Sequence, residues 1–259
     1  MLIESLQNPG IKQLLKLQQK SRERKSSGLF VVEGVQENRL ALNAGFEPQK
    51  FYLANGIYQS DLRLPQTEKI KLSAALFEQI AYRGTSGGII GIYKSKTLRL
   101  NEIRLPKNPM IVILEAVEKP GNMGAVLRSC DGAGVDLLVV CDPLTDFYNP
   151  NVIRSSVGTV FTCKTLAETK ENIVDWLKKN DVQIVSTFLS EDTLNLYEAD
   201  FTKSSAIVLG TESTGLSDFW NAHSDVKIKI PMKGRVDSLN VSNAAAVCVY
   251  EAIRQRLFR

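Results

Sequence analysis

The sequence is poor in the residues from which metal and disulfide chemistry is built. Its 259 residues include four cysteines and one histidine. Cys130, Cys141, Cys163 and Cys248 lie far apart with no C-x-x-C pair, and His223 stands alone. That pattern argues against a zinc site and against a disulfide framework, so no metal is expected. No run approaches the ~18 apolar residues that span a bilayer, and the N-terminus lacks the apolar core of a signal peptide. The expectation is a cytoplasmic protein. No G-x-G-x-x-G follows the first strand, as a dinucleotide oxidoreductase would require. The stretch Gly210-Thr211-Glu212-Ser213-Thr214-Gly215 has glycines spaced as in a P-loop. Leu216, however, stands where the phosphate-binding lysine belongs, and Glu212 would repel phosphate. His223 has no nucleophile-like surroundings, which disfavours a Ser-His-Asp hydrolase. Internal repeats and low-complexity tracts are also lacking.

What is present fits one or two globular domains with ample length for a core. Net charge is only +4, so its distribution carries more meaning than its size. Lys12, Lys16, Lys20, Arg22, Arg24 and Lys25 crowd one stretch with Glu23 as its only acid, which points to phosphate contact. Arg254, Arg256 and Arg259 fall in a last helical turn, where cations sit favourably at the negative end of the helix dipole. Residues 95–109 are charged, weakly periodic and contain Pro106 and Pro109, a composition that suits a linker. The expected domains are therefore 1–98 and 110–259, joined by 99–109. In the first, Asn8-Pro9 predicts a helix start with Ile11, Leu14 and Leu15 on its apolar face. Leu29–Val32 predicts a strand and Val35–Ala44 a helix ended by Gly45. Strands at 51–53 and 88–93 and a helix at 74–82 complete a small α/β unit.

The second domain alternates strands near 111–117, 137–141, 183–188, 206–210 and 227–231 with helices near 122–133, 150–158, 168–179 and 241–258. Such alternation predicts a largely parallel sheet covered by helices on both faces. Three loops at strand ends stand out. One is Lys119-Pro120-Gly121-Asn122-Met123-Gly124-Ala125-Val126-Leu127-Arg128, and the second is Leu209-Gly210-Thr211-Glu212-Ser213-Thr214-Gly215-Leu216. The third is Ile230-Pro231-Met232-Lys233-Gly234-Arg235-Val236-Asp237-Ser238-Leu239-Asn240-Val241-Ser242. There Ser238 or Asn240 is placed to cap the last helix. Open α/β sheets bind ligands at the carboxyl ends of their strands, where all three loops fall.

In this order, the three loops resemble the three motifs of the SpoU/TrmH family of RNA ribose 2′-O-methyltransferases, over residues 110–259. The N-terminal region, including Phe30-Val31-Val32-Glu33-Gly34, is more loosely similar to the ribosomal-protein-like substrate-binding domain that precedes such domains. The tract Gly84-Thr85-Ser86-Gly87-Gly88 departs from the family's Pro-Gln-Gly, as do Lys119 in the first motif and Asn243 after Val-Ser in the third. The resemblance implies a deep C-terminal trefoil knot, a homodimer through the C-terminal domain, and S-adenosylmethionine as cofactor. It implies structured RNA as partner, with large-subunit ribosomal RNA favoured over tRNA. A non-catalytic RNA-binding protein that retained the fold is the alternative from another class.

The same resemblance assigns residues. Leu209, Gly210, Gly215, Ile230, Met232, Gly234 and Leu239 would form the cofactor pocket, and Arg128, Asn122, Glu212, Ser238 and Asn240 the catalytic set. Arg154, in Asn149-Pro150-Asn151-Val152-Ile153-Arg154, matches a recurrent family arginine and joins the N-terminal basic residues as a candidate RNA contact. A salt bridge from Arg128 to Asp131 or Glu212 is the structural reading weighed against its catalytic one. Family proposals make the arginine a general base. A guanidinium stays protonated in ordinary surroundings, so we favour a phosphate fork that also stabilises developing negative charge.

Overall fold

The computed structural model describes residues 2–82, 87–211 and 214–258. The chain forms two compact units, one of Met1–Lys96 with Asp146–Thr162 and one of Thr97–Thr145 with Cys163–Arg259.

The first unit has a five-stranded mixed sheet in the order β1-β4-β3-β5-β2. Its strands are β1 (Leu2–Ile3), β2 (Leu29–Glu33), β3 (Pro48–Ala54), β4 (Glu68–Leu72) and β5 (Ile89–Lys94). Its helices are α1 (Pro9–Gln19), α2 (Ser21–Ser27), α3 (Val35–Asn43), α4 (Ala74–Ile80) and α6 (Pro150–Ser155). Asn8 caps α1 by accepting from the Gly10 N–H, with Pro9 in the first turn where its missing N–H costs nothing. Ile11, Leu14 and Leu17 are the helix's buried residues, and Leu15 is only partly buried. The expected helix from Val35 stops one residue early, and Gly45 takes the left-handed conformation (φ 70°) as expected of a helix terminator.

The second unit is built on seven parallel strands in the order β10-β12-β9-β11-β6-β7-β8. They are β6 (Met110–Glu115), β7 (Leu137–Cys141), β8 (Thr165–Glu168), β9 (Gln183–Thr187), β10 (Leu194–Asn195), β11 (Ser205–Leu209) and β12 (Val226–Lys229). Every residue of β6, β7 and β11 is buried, as expected of strands covered on both faces. One face carries Ile111, Ile113, Val139, Ala206 and Val208 against α7 (Lys170–Lys179) and Trp220 of α8 (Asp218–His223). The other element pair, α5 (Pro120–Ala133) and α9 (Val241–Leu257), pack together, and α9 also meets β11.

Two stretches sit differently from the linear expectation. Residues 99–109 belong to the second unit, with Leu100, Ile103 and Leu105 packed on its core. Residues 146–162 cluster with the first unit. Tyr148 stacks on Phe30 with ring centroids 4.2 Å apart, and Phe161 meets Phe46 edge-on at 5.2 Å. These aromatics find partners more than a hundred residues away, which no local periodicity reports. The short β1, β4, β8 and β10 and the one- or two-turn helices α2 and α8 were also outside the expected set, being too brief for a period to register.

Candidate functional site

A cleft of about 420 Å³ opens at the carboxyl ends of β9, β11 and β12 in the second unit. Leu209, Gly210, Gly215, Ile230, Met232 and Leu239 all line it, with Ser238 from the expected catalytic set. Thr187, Phe188 and Leu189 at the end of β9, and Asp237, Val241 and Ala244, are among the other lining residues and were not anticipated. The rule that parallel sheets bind at strand ends would have pointed to the β9 residues. Gly234 does not line the cleft, and a Cβ there would meet nothing within 4 Å. Its expected role in close backbone approach is therefore not required by this geometry.

The second loop closes on itself. Thr211 N–H donates to Gly215 O at 3.2 Å and Gly215 N–H donates to Thr211 O at 3.1 Å. A Cβ at Gly210 would overlap the Gly215 carbonyl and the Leu216 nitrogen, so only glycine fits. Gly215 is needed for a different reason, its left-handed φ of 67°. The far end of the loop is tied to β6, where Glu115 accepts from Ser217 N–H at 2.8 Å and from Ser217 Oγ–H at 2.6 Å. Lys170 Nζ lies 3.6 Å from the same buried carboxylate. Glu115 was not anticipated, since a lone glutamate ending an apolar strand carries no local signal. Glu212 lies outside the described residues.

The first and third loops meet through Asn122 and Asn240. Asn240 Nδ2 donates to Asn122 Oδ1 at 3.3 Å. Asn240 also caps α9, its Oδ1 accepting from Ser242 N–H at 2.9 Å and from Ser242 Oγ–H at 2.6 Å. Ser238 is exposed and donates to Asp237 Oδ1 at 3.1 Å. Between the two cap candidates, the structure selects Asn240. Arg128 is exposed on α5 and makes no hydrogen bond or ion pair among the described residues. Its expected structural partner Asp131 is therefore not engaged by it. Lys119 precedes α5 as its N-cap residue without a side-chain cap bond, and Asn243 is exposed on α9.

No group of three or more His, Cys, Asp or Glu is placed to hold a metal among the described residues. Burial pushes the thiols of Cys141 and Cys248 up to about 12 and raises that of Cys130 as well. These three cysteines are therefore thiols at neutral pH and poor nucleophiles.

The basic residues divide. Lys12, Lys16, Lys20, Arg22 and Lys25 are exposed on α1, α2 and their junction. Arg24 is not available for RNA: it is 4% exposed and donates to both carboxylate oxygens of Asp146 and to the carbonyls of Leu17 and Gln18. An arginine this buried needs such partners, so it serves as a staple between α2 and residue 146. Arg154, on α6 in the first unit, lies over the Tyr82 ring at 5.6 Å. At the chain's other end, Arg256 donates to the carbonyls of Phe201, Asn108, Pro109 and Lys203, and Arg254 pairs with Glu251. Both are structural, through partners other than the carbonyls at the end of α9, while Arg259 lies outside the described residues. So do residues 84–86 of the departing glycine-rich tract.

Known proteins with the same arrangement set these observations in context. The model of the SpoU rRNA methylase family matches residues 109–250, and that of the MRM3-like substrate-binding domain matches residues 8–91. The 23S rRNA (guanosine-2′-O-)-methyltransferase RlmB of Vibrio vulnificus is 33% identical over 228 residues, covering 82% of this chain and 92% of its own. A solved RNA 2′-O ribose methyltransferase superposes with a TM-score of 0.87 at 35% identity, over 100% of both chains. The SpoU methyltransferase AviRb of Streptomyces viridochromogenes, solved in complex with AdoMet, gives 0.89 at 27% identity over 97% of this chain and 99% of its own. With more than half of the chain matched by the family model, and the cleft assembled from the segments that carry the family's motifs, this protein belongs to the SpoU rRNA methylase family.

Proposed function

We propose that the protein transfers the methyl group of S-adenosylmethionine to a ribose 2′-hydroxyl of 23S ribosomal RNA. The observation that carries this reading is the cleft itself, with the self-closed 210–215 loop on one side and the third loop on the other. Its lining combines apolar side chains (Leu209, Ile230, Met232, Leu239) with main chain brought close by Gly210, a donor set suited to a nucleoside carrying a methionine tail. The bound cofactor would supply a sulfonium methyl, which needs no metal to be electrophilic. The chain's own residues then bind and align. Backbone at 209–210, 230 and 239 holds the cofactor, and Asn122 with Asn240 fixes the first motif against the third. Arg128, exposed and unpaired among the described residues, is free to fork onto an RNA phosphate and stabilise charge developing on the ribose oxygen. Alignment of two reactants is the main source of rate in such a displacement, so few catalytic side chains are required.

The finer features belong to the same proposal. We read the first unit as the RNA-holding module, with the exposed lysines of α1 and α2 on phosphate. We read the protein as a cytoplasmic homodimer through the second unit, with its C-terminal segment threaded as a trefoil knot. Relatives named for 23S ribosomal RNA support that substrate over tRNA. The test is ribose-methylation mapping of ribosomal RNA from a deletion strain, with and without complementation. One 2′-O-methyl mark in 23S RNA should vanish and return; an unchanged map would reject the assignment.

A further inference from the structure

A second cavity of about 420 Å³ lies wholly within the first unit, between the start of α3, Tyr82 and α6. Glu33, Gly34, Glu37, Tyr82 and Arg154 line it. The corner that shapes it is rigid: fully buried Asn38 donates to Val32 O at 3.1 Å and Gly34 O at 2.7 Å, and accepts from Tyr93 Oη–H at 2.8 Å. Gly34 has φ 103°, and the Glu37 carboxylate fills the space its Cβ would take. That carboxylate is thereby folded back against the corner, and burial raises its pKa. Glu33 accepts from the Tyr82 N–H at 2.7 Å, which fixes the tyrosine beneath Arg154. Arg154 forms no ion pair with Glu37 among the described residues. A cation and a carboxylate sharing one cavity without pairing suit a ligand that offers both donors and an anion.

We propose that this cavity takes an unpaired guanine of the RNA substrate. The guanine N1–H and N2–H would donate to the two oxygens of Glu37, its ring would lie against Tyr82, and Arg154 would meet the adjoining phosphate. Guanine is the base whose Watson–Crick edge offers two neighbouring donors to one carboxylate. Single-stranded bases are commonly read by such edge contacts with an aromatic platform. A purely anionic ligand is disfavoured by Glu33 and Glu37 on the cavity wall. The inference rests on the reading of the chain as an RNA methyltransferase, but its test does not depend on methyl transfer.

The probes are fluorescein-labelled UUGUU, UUAUU and UUCUU, with binding to the full chain read by anisotropy. The wild type should prefer UUGUU by about tenfold, the discrimination of a good bidentate pair. Glu37→Gln should lose that preference, because an amide presents a donor to one of guanine's donors. Arg154→Ala should weaken all three strands alike and reduce the salt slope by about one phosphate contact. A cooperative thermal transition no lower than that of wild type would certify that each variant folds. Equal binding of the three strands by wild type, or a guanine preference that survives Glu37→Gln, would overturn the proposal. Failure of wild-type protein to methylate ribosomal RNA would reject the enzyme reading while leaving this base preference standing or falling by its own measurement.

Discussion

At the residue scale, Arg128 and Gly210 separate chemistry from binding. Arg128 lies outside the cleft lining, so Arg128→Ala should keep S-adenosylmethionine affinity while turnover falls by about 10²-fold or more. Arg128→Lys should rescue little, since lysine keeps the charge and loses the planar fork. Calorimetry and tritiated-methyl transfer measure the two quantities, and near-wild-type methylation by the alanine variant would remove Arg128 from the site. Gly210→Ala should do the opposite. Its Cβ would collide with Gly215 backbone that cannot move without opening the loop. Overpacking of this kind costs about 1–3 kcal/mol, so cofactor affinity should drop ~10-fold or more. Glu37 makes a pH prediction. Burial raises its pKa above the usual 4.5, so the folded state favours the protonated form. Its contribution to stability is present at low pH and is lost as pH rises through the raised value. Glu37→Gln should therefore melt higher than wild type at neutral pH, with the gap closing in acid. A gap that widens in acid would contradict this.

At the scale of elements, the motif loops are held by groups outside the motifs. Glu115 at the end of β6 anchors Ser217, and Asn240 both caps α9 and reaches Asn122 on α5. The sequence narrowed the cap to Ser238 or Asn240, because a small polar residue before an apolar-periodic run has a local meaning, and the structure chose Asn240. The Glu115 anchor was not, because its partner lies 102 positions away. The same division holds for α2. Its basic residues look uniform in the sequence, yet Arg24 turns inward to Asp146 while Arg22 and Lys25 face solvent. Asp146→Ala would strand a buried guanidinium, and breaking such a pair costs about 3–5 kcal/mol. Urea unfolding of the full chain should show a midpoint lowered accordingly, whereas Lys25→Ala should leave it in place.

For the whole molecule, the prediction concerns assembly. The proposed dimer through the second unit should appear in light scattering at concentrations where activity is full. A monomer with full activity there would contradict it. The exposed Tyr250 on α9 offers a site to test the contact, since Tyr250→Lys places a charge on that helix's outer face. Dissociation with loss of methyl transfer is expected.

The sequence alone determined the parallel α/β architecture, the three loops at strand ends and the Asn8 cap, and it narrowed the last helix's cap to Ser238 or Asn240. Each is written in a few neighbouring residues: alternating apolar runs, a capping side chain, a glycine that no other residue can replace. Only the tertiary structure decided that residues 146–162 join the first unit, that 99–109 pack on the second unit's core, and that Arg24 is a staple. Only it brought Glu37, Tyr82 and Arg154 around one cavity. Those outcomes depend on contacts between residues tens to more than a hundred positions apart. Burial and pairing at that range are set by how strands order in a sheet, which local periodicity does not encode.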